Sequence, residues 1–266
     1  MGAECGLVAG VIRYSGLFFL ARSVKIDNGC KHWRQVVCLI ELKGRLAEIA
    51  GYVPQGSTVI DVGTDHAYLP IFLVQRGRCP RAVGVDIHAG PYRSAVEQVR
   101  LQGLPDRIRV CQGDGLQPVE PGEGDVVVVA GMGGTTIVDI LQAGERVLAQ
   151  VNRLILQPMV AGSSLRLWLL QHGWAIRDEK LVEEDGRIYE IGVAERGVQP
   201  IPSEIMLELG PCIVAKKDPL LPRLVDSRVE ALKTVLAELD KARRPGLEVK
   251  QAEIRNKIRL LQEVLA

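Results

Sequence analysis

The stretch "VIDVGTDHAYLP", residues 59–70, decides the fold of this chain. Its apolar start predicts a buried strand, Gly63 ends that strand, and the apolar run from Tyr68 predicts a helix. A strand, a glycine turn and a helix in this order are typical of nucleotide-binding α/β folds. Asp65 and His66, however, stand where a dinucleotide fingerprint would carry its second glycine. A ligand bound at this turn must therefore tolerate a carboxylate.

Strands and helices alternate around this stretch, over residues 39–197. Further strands are expected at "RAVGVDI", "IRVCQGD", "DVVVVAG" and "RLILQPM", with a helix after each of them except "IRVCQGD". Continuous apolar strands alternating with helices predict a parallel sheet that is covered on both faces. Two strand-like runs about Asp185 and Gly186 predict a final hairpin with an antiparallel edge strand. The predicted fold class is α/β, with a doubly wound, Rossmann-like and mostly parallel sheet.

The two ends of the chain differ from this central region. Residues 1–38 show neither sustained helical periodicity nor a clear strand-and-turn pattern, and are interpreted as an extension of unknown role. This extension could be a poorly ordered tail, a short packed appendage or translation from too early a start codon. The next stretch, "LIELKGRLAEIAGYV", predicts an amphipathic helix. Residues 198–266 contain no strong strand, and two amphipathic stretches around a Pro-Gly pair predict a helical hairpin with coiled-coil spacing. Three domains are therefore expected, over residues 1–38, 39–197 and 198–266.

The composition limits the classes of partner. The 266 residues carry a formal net charge of +1, so a nucleic-acid partner would have to meet a local basic patch. Residues 216–266 provide one, with 12 Lys or Arg against 8 Asp or Glu, although a solvated helix face is the competing interpretation. The 6 cysteines lack zinc-ligand spacing and are expected to be reduced thiols of a cytoplasmic protein without a metal site. No apolar run approaches the roughly 20 residues of a membrane helix, so no membrane partner is expected.

The acids around the first turn indicate which nucleotide-like ligand fits. A dinucleotide needs backbone amides around its pyrophosphate, which a carboxylate at Asp65 would repel. S-adenosylmethionine has no phosphate and instead brings an ammonium, a sulfonium and two ribose hydroxyls. Asp61 or Asp65 can therefore face its methionine end, while the backbone of Gly63 passes close to it. A helix cap is the other interpretation of Asp65, and it is compatible with ligand contact.

Two further acids follow later strands. Asp86 ends the second strand, 25 residues after Asp61, where a carboxylate can accept hydrogen bonds from ribose hydroxyls. An ordinary strand-end acid is the competing interpretation of Asp86. Asp114 follows the third strand in "CQGDGL" and could receive the adenine amino group. Three such acids, together with Gly63, favour a class I methyltransferase.

A second sequence of strand, glycine turn and helix occurs at "DVVVVAGMGGTT". As a dinucleotide fingerprint it supplies Gly131 and Gly133 but has Thr136 in place of the last glycine. No acid ends the next strand, where a dinucleotide-binding enzyme carries one about 20 residues further on. A NAD-dependent oxidoreductase is therefore the less favoured alternative.

Six motifs occur in this order along the chain: "DVGTDHAYLP", "GPYRSA", "GDGL", "AGMGG", "LILQP" and "RIYEIG". Together they resemble the bacterial tRNA (adenine(22)-N1)-methyltransferase family over residues 39–197, and the helical tail more loosely resembles the coiled-coil domain of that family. The resemblance implies transfer of a methyl group from S-adenosylmethionine to N1 of adenine 22 in tRNA. A methyltransferase acting on another RNA or on a small molecule, and a non-catalytic RNA-binding module, remain the alternatives.

The resemblance also implies positions for the site. The cofactor would be surrounded by residues of the first turn and of the later strand ends: Gly63, Asp65, His66, Asp86, Asp114, Gly131 and Met132. Because "AGMGG" offers no acid, Asp65 is expected to be the catalytic carboxylate, with His66 beside it either bonding substrate or holding the loop shut. Gln157 and Pro158, after the fifth strand, would line the adenine pocket or shape the loop. Tyr189 would stack on a flipped base or pack in the core.

The basic helical tail is expected to grip tRNA in a monomeric protein, since phosphate contacts carry much of the affinity for nucleic acid. Its cations cluster beside the Pro-Gly break and on the second helix: Lys241, Arg243, Arg244, Arg255, Lys257 and Arg259. The competing interpretation is a dimer in which a second subunit buries an apolar face of the tail, formed by Leu232, Leu236, Ile258 and Leu261.

Overall fold

The computed structural model describes residues 10–14, 17–21, 38–242 and 246–265. Arg243 and Arg244, which the sequence assigns to tRNA binding, lie outside the described residues. The described chain forms two compact units. One comprises the described residues up to Gly131 together with Asp139–Leu156, and the other comprises Met132–Val138 and the described residues from Gln157 onward. The domain limits expected after residues 38 and 197 stay predictions.

Three short strands near the N-terminus form an antiparallel sheet: β1 (Gly10–Tyr14), β2 (Leu17–Ala21) and β3 (Cys38–Ile40). The prediction that residues 1–38 lack a strand-and-turn pattern was wrong for the first two strands. Both are rich in β-branched or aromatic residues, and a Ser-Gly pair, a turn signal, separates them in the sequence. The helix expected from Leu39 begins instead at Gly44, as α1 (Gly44–Tyr52), because Leu39 and Ile40 belong to β3.

From Val59 onward the elements match the predicted alternation. They are β4 (Val59–Val62), α2 (Tyr68–Gln75), β5 (Ala82–Asp86), α3 (Ala89–Leu101), β6 (Ile108–Gln112), β7 (Val126–Met132), α4 (Gly134–Ala143), α5 (Glu145–Leu148), β8 (Arg153–Pro158), α6 (Gly162–Gln171), β9 (Trp174–Glu184) and β10 (Arg187–Arg196). Each strand and helix that the sequence predicts in this region is confirmed, and the short helix α5 is an addition.

These seven strands form one sheet in the order β6-β5-β4-β7-β8-β10-β9. The pairs β4–β5, β5–β6 and β4–β7 are parallel, whereas β9 and β10 pair antiparallel at the edge. All residues of β4 and β5 are buried, as expected for strands that are covered on both faces. Asp185 (φ 50°) and Gly186 (φ 74°) both adopt the left-handed conformation that a two-residue hairpin turn favours. The predicted fold class is confirmed.

The strand order reverses at β4, which has β5 as its neighbour on one side and β7 on the other. In open α/β sheets, ligands bind beyond the carboxyl ends of the strands at such a reversal. The turn after β4, which contains Asp65 and His66, lies at this position. The topology therefore predicts a ligand site at this turn.

Four helices follow the sheet: α7 (Glu204–Leu209), α8 (Pro211–Ala215), α9 (Leu221–Ala242) and α10 (Glu248–Glu263). The helices α9 and α10 form the predicted hairpin, in which Gln251 Nε2 donates to Asp240 Oδ1 at 2.8 Å. Leu261 is completely buried in an apolar cluster against which Leu232 and Ile258 pack. The sequence analysis missed α7 and α8, although a serine cap and a first-turn proline mark them. None of the helices in the described ranges combines the length and apolar character needed to cross a membrane.

Candidate functional site

The turn between β4 and α2 contains three residues in the left-handed conformation: Gly63 (φ 76°), Asp65 (φ 50°) and Ala67 (φ 56°). Glycine adopts this conformation freely, whereas each other residue loses about 1–2 kcal/mol there. Strain of this kind persists only where surrounding contacts hold the backbone, and it is concentrated at ligand sites. The turn is therefore shaped by its contacts with the neighbouring strand.

Asp86, the last residue of β5, makes those contacts. Its Oδ2 accepts a hydrogen bond from the backbone N–H of Asp65 at 3.2 Å, and its Oδ1 accepts one from the N–H of His88 at 2.9 Å. The carbonyl of Val85 accepts two more from the first two residues of the turn, at 2.8 and 3.0 Å. The Asp86 side chain is buried, but each carboxylate oxygen has a second lone pair that can accept from a ribose hydroxyl.

Thr64 and Gly84 bring the turn close to the sheet, and the sequence analysis missed both. Thr64 Oγ1 donates to Asp61 Oδ2 at 2.7 Å, in the interior of the protein. A Cβ atom on Gly84 would lie 3.0 Å from both Oγ1 and Cγ2 of Thr64, so a side chain at this position would push the turn away. The available signal was a glycine within the otherwise apolar strand "AVGVD", which marks a close backbone approach.

Asp61 is buried beneath the turn, within β4. The pKa of Asp61 is raised to about 6, chiefly by burial; the Thr64 hydrogen bond lowers it and the nearby Asp86 charge raises it, and the value includes both effects. A bound cation would favour the ionised carboxylate and lower this pKa again. A carboxyl group perturbed in this way at a strand end is a candidate ligand contact.

Asp65 and His66 present their side chains to solvent, with 66% and 38% of the side-chain surface exposed. His66 Nε2 lies 3.7 Å from Asp65 Oδ1, and the imidazole stacks on the Tyr68 ring at a centroid distance of 5.2 Å. The interpretation of Asp65 as a helix cap was wrong, because Ala67 is the N-cap residue of α2. The Asp65 carboxylate is therefore available to a ligand, beside an imidazole held by an aromatic ring.

Asp114, the third acid, follows β6 and is exposed. The N–H of Gly113 donates to the backbone carbonyl of Asp86 at 3.0 Å, which joins the ends of β5 and β6. Asp61, Asp86 and Asp114 thus lie at or just beyond three neighbouring parallel strand ends in one unit. The last residue that β7 contributes to the same unit is Gly131, whose φ of 77° favours glycine.

In the other unit, the loops after β7 and β8 are fastened to each other. The N–H of Met159 donates to the Met132 carbonyl at 2.8 Å, and the N–H of Gly134 donates to the Val160 carbonyl at 2.8 Å. A Cβ atom on Gly134 would lie 2.3 Å from the carbonyl oxygen of Ala161, so the backbones touch here. The last glycine of "AGMGG" therefore serves packing between the loops.

The residues predicted to contact substrate lie in different surroundings. Gln157 is completely buried, and its Nε2 donates to the carbonyl of Pro158 at 3.0 Å, so its side chain is inside the loop and not on its surface. Tyr189 is half-buried and lies opposite Val182 in the β9–β10 hairpin. Lys241 is exposed on α9 and pairs with Glu238 at 2.9 Å.

A buried ionic network in this unit escaped the sequence analysis. Arg166 donates to Glu179 Oε1 at 2.5 Å, to Glu190 Oε2 at 2.6 Å and to the Leu207 carbonyl at 2.9 Å. Burial opposes ionisation of Arg166, but the two carboxylates raise its pKa and keep it charged. Arg228 on α9 adds a bond to Glu190 Oε1 at 2.7 Å. The network joins α6, the edge hairpin and the helical tail; its signals were an arginine amid apolar residues in "LRLWLL" and the acid of "RIYEIG".

A family model described as TrmK, tRNA (adenine(22)-N(1))-methyltransferase, matches residues 59–263 of this chain. The tRNA (adenine(22)-N(1))-methyltransferase of Bacillus subtilis (strain 168) is 34% identical over 232 residues, which are 85% of this chain and 98% of that protein. The matched region extends from the first strand of the large sheet to the last helix.

Two solved structures of similar proteins contain a bound cofactor or its product. Sp1610 from Streptococcus pneumoniae, in complex with S-adenosyl-L-methionine, is 37% identical and has a TM-score of 0.73, covering 84% of this chain and 98% of that chain. TrmK from M. capricolum, in complex with S-adenosyl-homocysteine, is 25% identical and has a TM-score of 0.69, covering 84% of this chain and 96% of that chain. The family match and the identity over nearly the whole Bacillus relative show that this chain belongs to the tRNA (adenine(22)-N(1))-methyltransferase family.

Proposed function

We propose that this chain transfers a methyl group from S-adenosylmethionine to N1 of adenine 22 in tRNA, the activity for which its family is named. The observation that carries the proposal is the contact between the Asp86 carboxylate and the strained turn at Asp65. Four of the five backbone N–H groups of residues 63–67 already donate to protein acceptors, so few are left for a phosphate. Carboxylates remain, and they suit a ligand with ribose hydroxyls and positive charge.

Each acid at these strand ends has a role in this proposal. Asp86 accepts hydrogen bonds from the ribose hydroxyls, and Asp114 receives the adenine amino group of the cofactor. Asp61 and Asp65 provide the negative charge that the methionine ammonium and the sulfonium require. Around them, the backbone or side chains of four further residues complete the cofactor site: Gly63, His66, Gly131 and Met132.

The reaction depends on alignment of the methyl group with adenine N1 more than on a strong base. When bound, S-adenosylmethionine supplies an electrophilic methyl group; the N1–C bond forms as the C–S bond breaks, sulfur keeps the electron pair, and the positive charge moves to the adenine. Adenine N1 has a free lone pair at neutral pH, so no proton must leave before attack. A turn that the Asp86 contact holds in place can align the bound cofactor, and alignment of reacting groups is worth several orders of magnitude in rate.

The Asp65 carboxylate is proposed to act on the methylated product. An exposed carboxylate near the methylated base stabilises its new positive charge or accepts a proton from its exocyclic amine. The His66 ring, stacked on Tyr68, is proposed to orient Asp65. Pro158 and Tyr189 are proposed to contact the target base, with Gln157 supporting the loop from inside.

We propose that the helical tail holds the tRNA backbone through Lys241, Arg243 and Arg244. Many cations of the tail also pair with acids in the structure, as Lys241 does with Glu238 at 2.9 Å and Arg255 with Asp240 at 3.7 Å. Exposed pairs of this kind contribute only about 0–1 kcal/mol, so phosphates can replace the carboxylates. The tail keeps its local excess of positive charge.

A monomer acting in the cytoplasm, where tRNA is processed, completes the proposal. Leu232 and Ile258, candidates for a subunit contact, pack against the apolar cluster of the chain's own tail. That packing leaves less apolar surface for a second copy. Residues 39–197 are proposed as the methyltransferase domain and residues 198–266 as the tRNA-holding domain.

Mass spectrometry of nucleosides tests the activity. A tRNA transcript with adenine 22 is incubated with the protein and S-adenosylmethionine, digested, and compared with a transcript carrying guanine at that position. We expect 1-methyladenosine from the first transcript and none from the second. Methylated adenine in both would contradict the position, and its absence from both would contradict the activity.

A further inference from the structure

A cation interrupts the apolar stripe of each long helix in the tail. On α9, Arg228 follows the buried Leu224 by four residues. On α10, Lys257 lies between the buried residues Ile254 and Leu261, three positions after the first and four before the second. Residues three or four positions apart lie on the same face of a helix. Each helix therefore carries a cation where its pattern would place an apolar residue.

Both cations meet one carboxylate, that of Glu208 on α7. Arg228 Nε lies 3.6 Å from Glu208 Oε1, and Lys257 Nζ lies 3.4 Å from Glu208 Oε2. Arg228 also reaches the sheet, where its Nη2 donates to Glu190 Oε1 on β10 at 2.7 Å. Lys257, counted in the sequence among the cations that grip tRNA, has only 29% of its side-chain surface exposed. These four side chains form an ionic link from β10 to both helices of the tail.

The sheet end of the ionic link is closely confined. Glu190 Oε2 accepts a hydrogen bond from Arg166 Nη2 at 2.6 Å, and both side chains are buried. A Cβ atom on Gly162 would lie 3.2 Å from Arg166 Nη1 and from Glu190 Oε2, and one on Gly210 would lie 2.8 Å from Arg166 Nη2. Backbone this close leaves the pair little room to move. Arg228 therefore ties α9 to a fixed point on β10.

The ionic link and the apolar cluster of the tail have different effects. The cluster joins β9 to all four C-terminal helices through buried aliphatic side chains, and apolar burial stabilises a contact without fixing its direction. A polar residue within an apolar helix seam can instead fix register and orientation, at a cost in stability. The guanidinium of Arg228 meets carboxylates on two separate elements, which constrains its geometry. The ionic link therefore suits orientation more than adhesion.

We propose that Arg228 is a positioning residue for tRNA methylation, because the ionic link fixes the direction of the α9–α10 hairpin relative to β10. This inference rests on the proposed function, in which the tail holds the tRNA backbone and Tyr189, next to Glu190 on β10, contacts the target base. A tail held in one direction gives the bound tRNA one position relative to the β9–β10 hairpin. Misplacement of reacting groups by about 1 Å can lower a rate by about a hundredfold.

A distance measurement tests the orientation without any substrate. Spin labels are attached through a non-natural ketone side chain in place of Arg187, which is exposed on β10, and of Val249, which is 69% exposed on α10 in the same unit. Pulsed electron paramagnetic resonance should give a narrow distance distribution for the otherwise wild-type protein and a broader one for Arg228→Met. Lys233→Met is the matched control, because Lys233 is an α9 cation that pairs with Glu230 of the same helix at 2.7 Å. Its distribution should be as narrow as that of wild type.

Kinetics separate positioning from the attraction of tRNA. At saturating tRNA, Arg228→Met should lower kcat by about tenfold or more, while its Kd values for tRNA and S-adenosylmethionine stay within about twofold. Lys233→Met removes the same charge from the same helix and should keep the wild-type kcat. Arg228→Lys keeps the charge, but one ammonium cannot fork between Glu190 and Glu208, so this variant should resemble Arg228→Met.

A second variant guards against a loss of folding. Glu208→Gln breaks the ionic link at its shared acid, leaves the buried pair of Arg166 and Glu190 intact, and should have the same effects on distance and kcat. A wild-type distance distribution or a wild-type kcat in folded Arg228→Met and Glu208→Gln would overturn the inference, as would full rescue by Arg228→Lys. Failure of wild type itself to methylate tRNA would refute the proposed function instead, and the distance distributions would still show whether Arg228 orients the tail.

Discussion

The Oδ2 atom of Asp86 lies 3.2 Å from the backbone nitrogen of Asp65 and accepts its hydrogen bond. This contact ties the end of β5 to a turn whose backbone is left-handed at Asp65. One carboxylate therefore holds the strained turn and keeps lone pairs for a ligand. The shape of the proposed cofactor site and its chemistry depend on the same residue.

Replacing Asp86 should weaken cofactor binding. For Asp86→Ala we expect a loss of about 1–3 kcal/mol in calorimetry with S-adenosylmethionine, because ribose hydroxyls lose a charged acceptor and the turn loses its support. Asp106→Ala is the control, since Asp106 is an exposed acid in the same unit before β6. NAD should not bind wild type. Wild-type affinity in Asp86→Ala would remove this residue from the site.

Cofactor affinity should depend on pH through Asp61. Burial raises the pKa of this carboxyl to about 6, and a cationic ligand favours its ionised form. The affinity for S-adenosylmethionine should therefore rise by up to about tenfold per unit as the pH rises towards 6, and level off above 7. Calorimetry of wild type and Asp61→Asn from pH 5 to 8 checks this. An equally steep dependence in Asp61→Asn would assign the titration to another group.

The same carboxyl affects folding stability without ligand. Its folded pKa, about 6, is above its ordinary value of 3.8, so the protonated form is favoured in the folded state. Its stabilising contribution is complete below pH 3.8 and is lost as the pH rises through about 6. The free energy of unfolding of Asp61→Asn should therefore fall less than that of wild type between pH 4 and 6.5. Parallel curves in urea denaturation would count against a raised pKa.

Asp65 should affect the chemical step more than cofactor binding. Asp65→Asn removes the charge and keeps a residue that tolerates the left-handed conformation. In single-turnover assays at saturating cofactor, the methyl-transfer rate of this variant should fall by a larger factor than its affinity for S-adenosylmethionine. An unchanged single-turnover rate would leave alignment, and not the carboxylate, as the source of catalysis.

Removal of one partner from the buried ionic network around Arg166 should destabilise the fold. Arg166→Met leaves Glu179 and Glu190 buried without their main cation, which costs about 3–5 kcal/mol of unfolding free energy. Arg177→Met is the control, because Arg177 is half exposed and pairs with Glu195 at 3.6 Å; its change should stay below about 1 kcal/mol. Equal urea midpoints for the two variants would show that the network contributes little.

Removing cations from the tail should flatten the salt dependence of tRNA binding. The triple variant Lys241→Gln, Arg243→Gln and Arg244→Gln should reduce the slope of log affinity against log salt by about 0.7–0.9 for each phosphate that the tail no longer neutralises. Point substitutions suit this test better than deletion of the tail, because Cys212 N–H donates to the buried Glu179 at 2.8 Å. An unchanged slope would place the tRNA-binding surface elsewhere.

The alternation of strands and helices was predictable because hydrophobic periodicity is a local property, and β4 to β10 follow it. The strand-end acids were predictable for the same reason, since strand ends are visible in the sequence. The contact between Asp65 and Asp86 was not, because it joins residues 21 positions apart through the sheet. The pairing of Thr64 with Gly84 and of Arg166 with Glu190 likewise depends on tertiary packing. In β1 and β2 the pattern was present but too short to stand out.

Primer extension on modified tRNA tests the central claim most directly, because a methyl group on N1 of adenine blocks base pairing during reverse transcription. Two transcripts, with adenine or guanine at position 22, are treated with the protein with and without S-adenosylmethionine. The account predicts a strong stop at position 22 only for the adenine transcript treated with protein and cofactor together. Full-length extension under every condition, or a stop at another adenine, would contradict it.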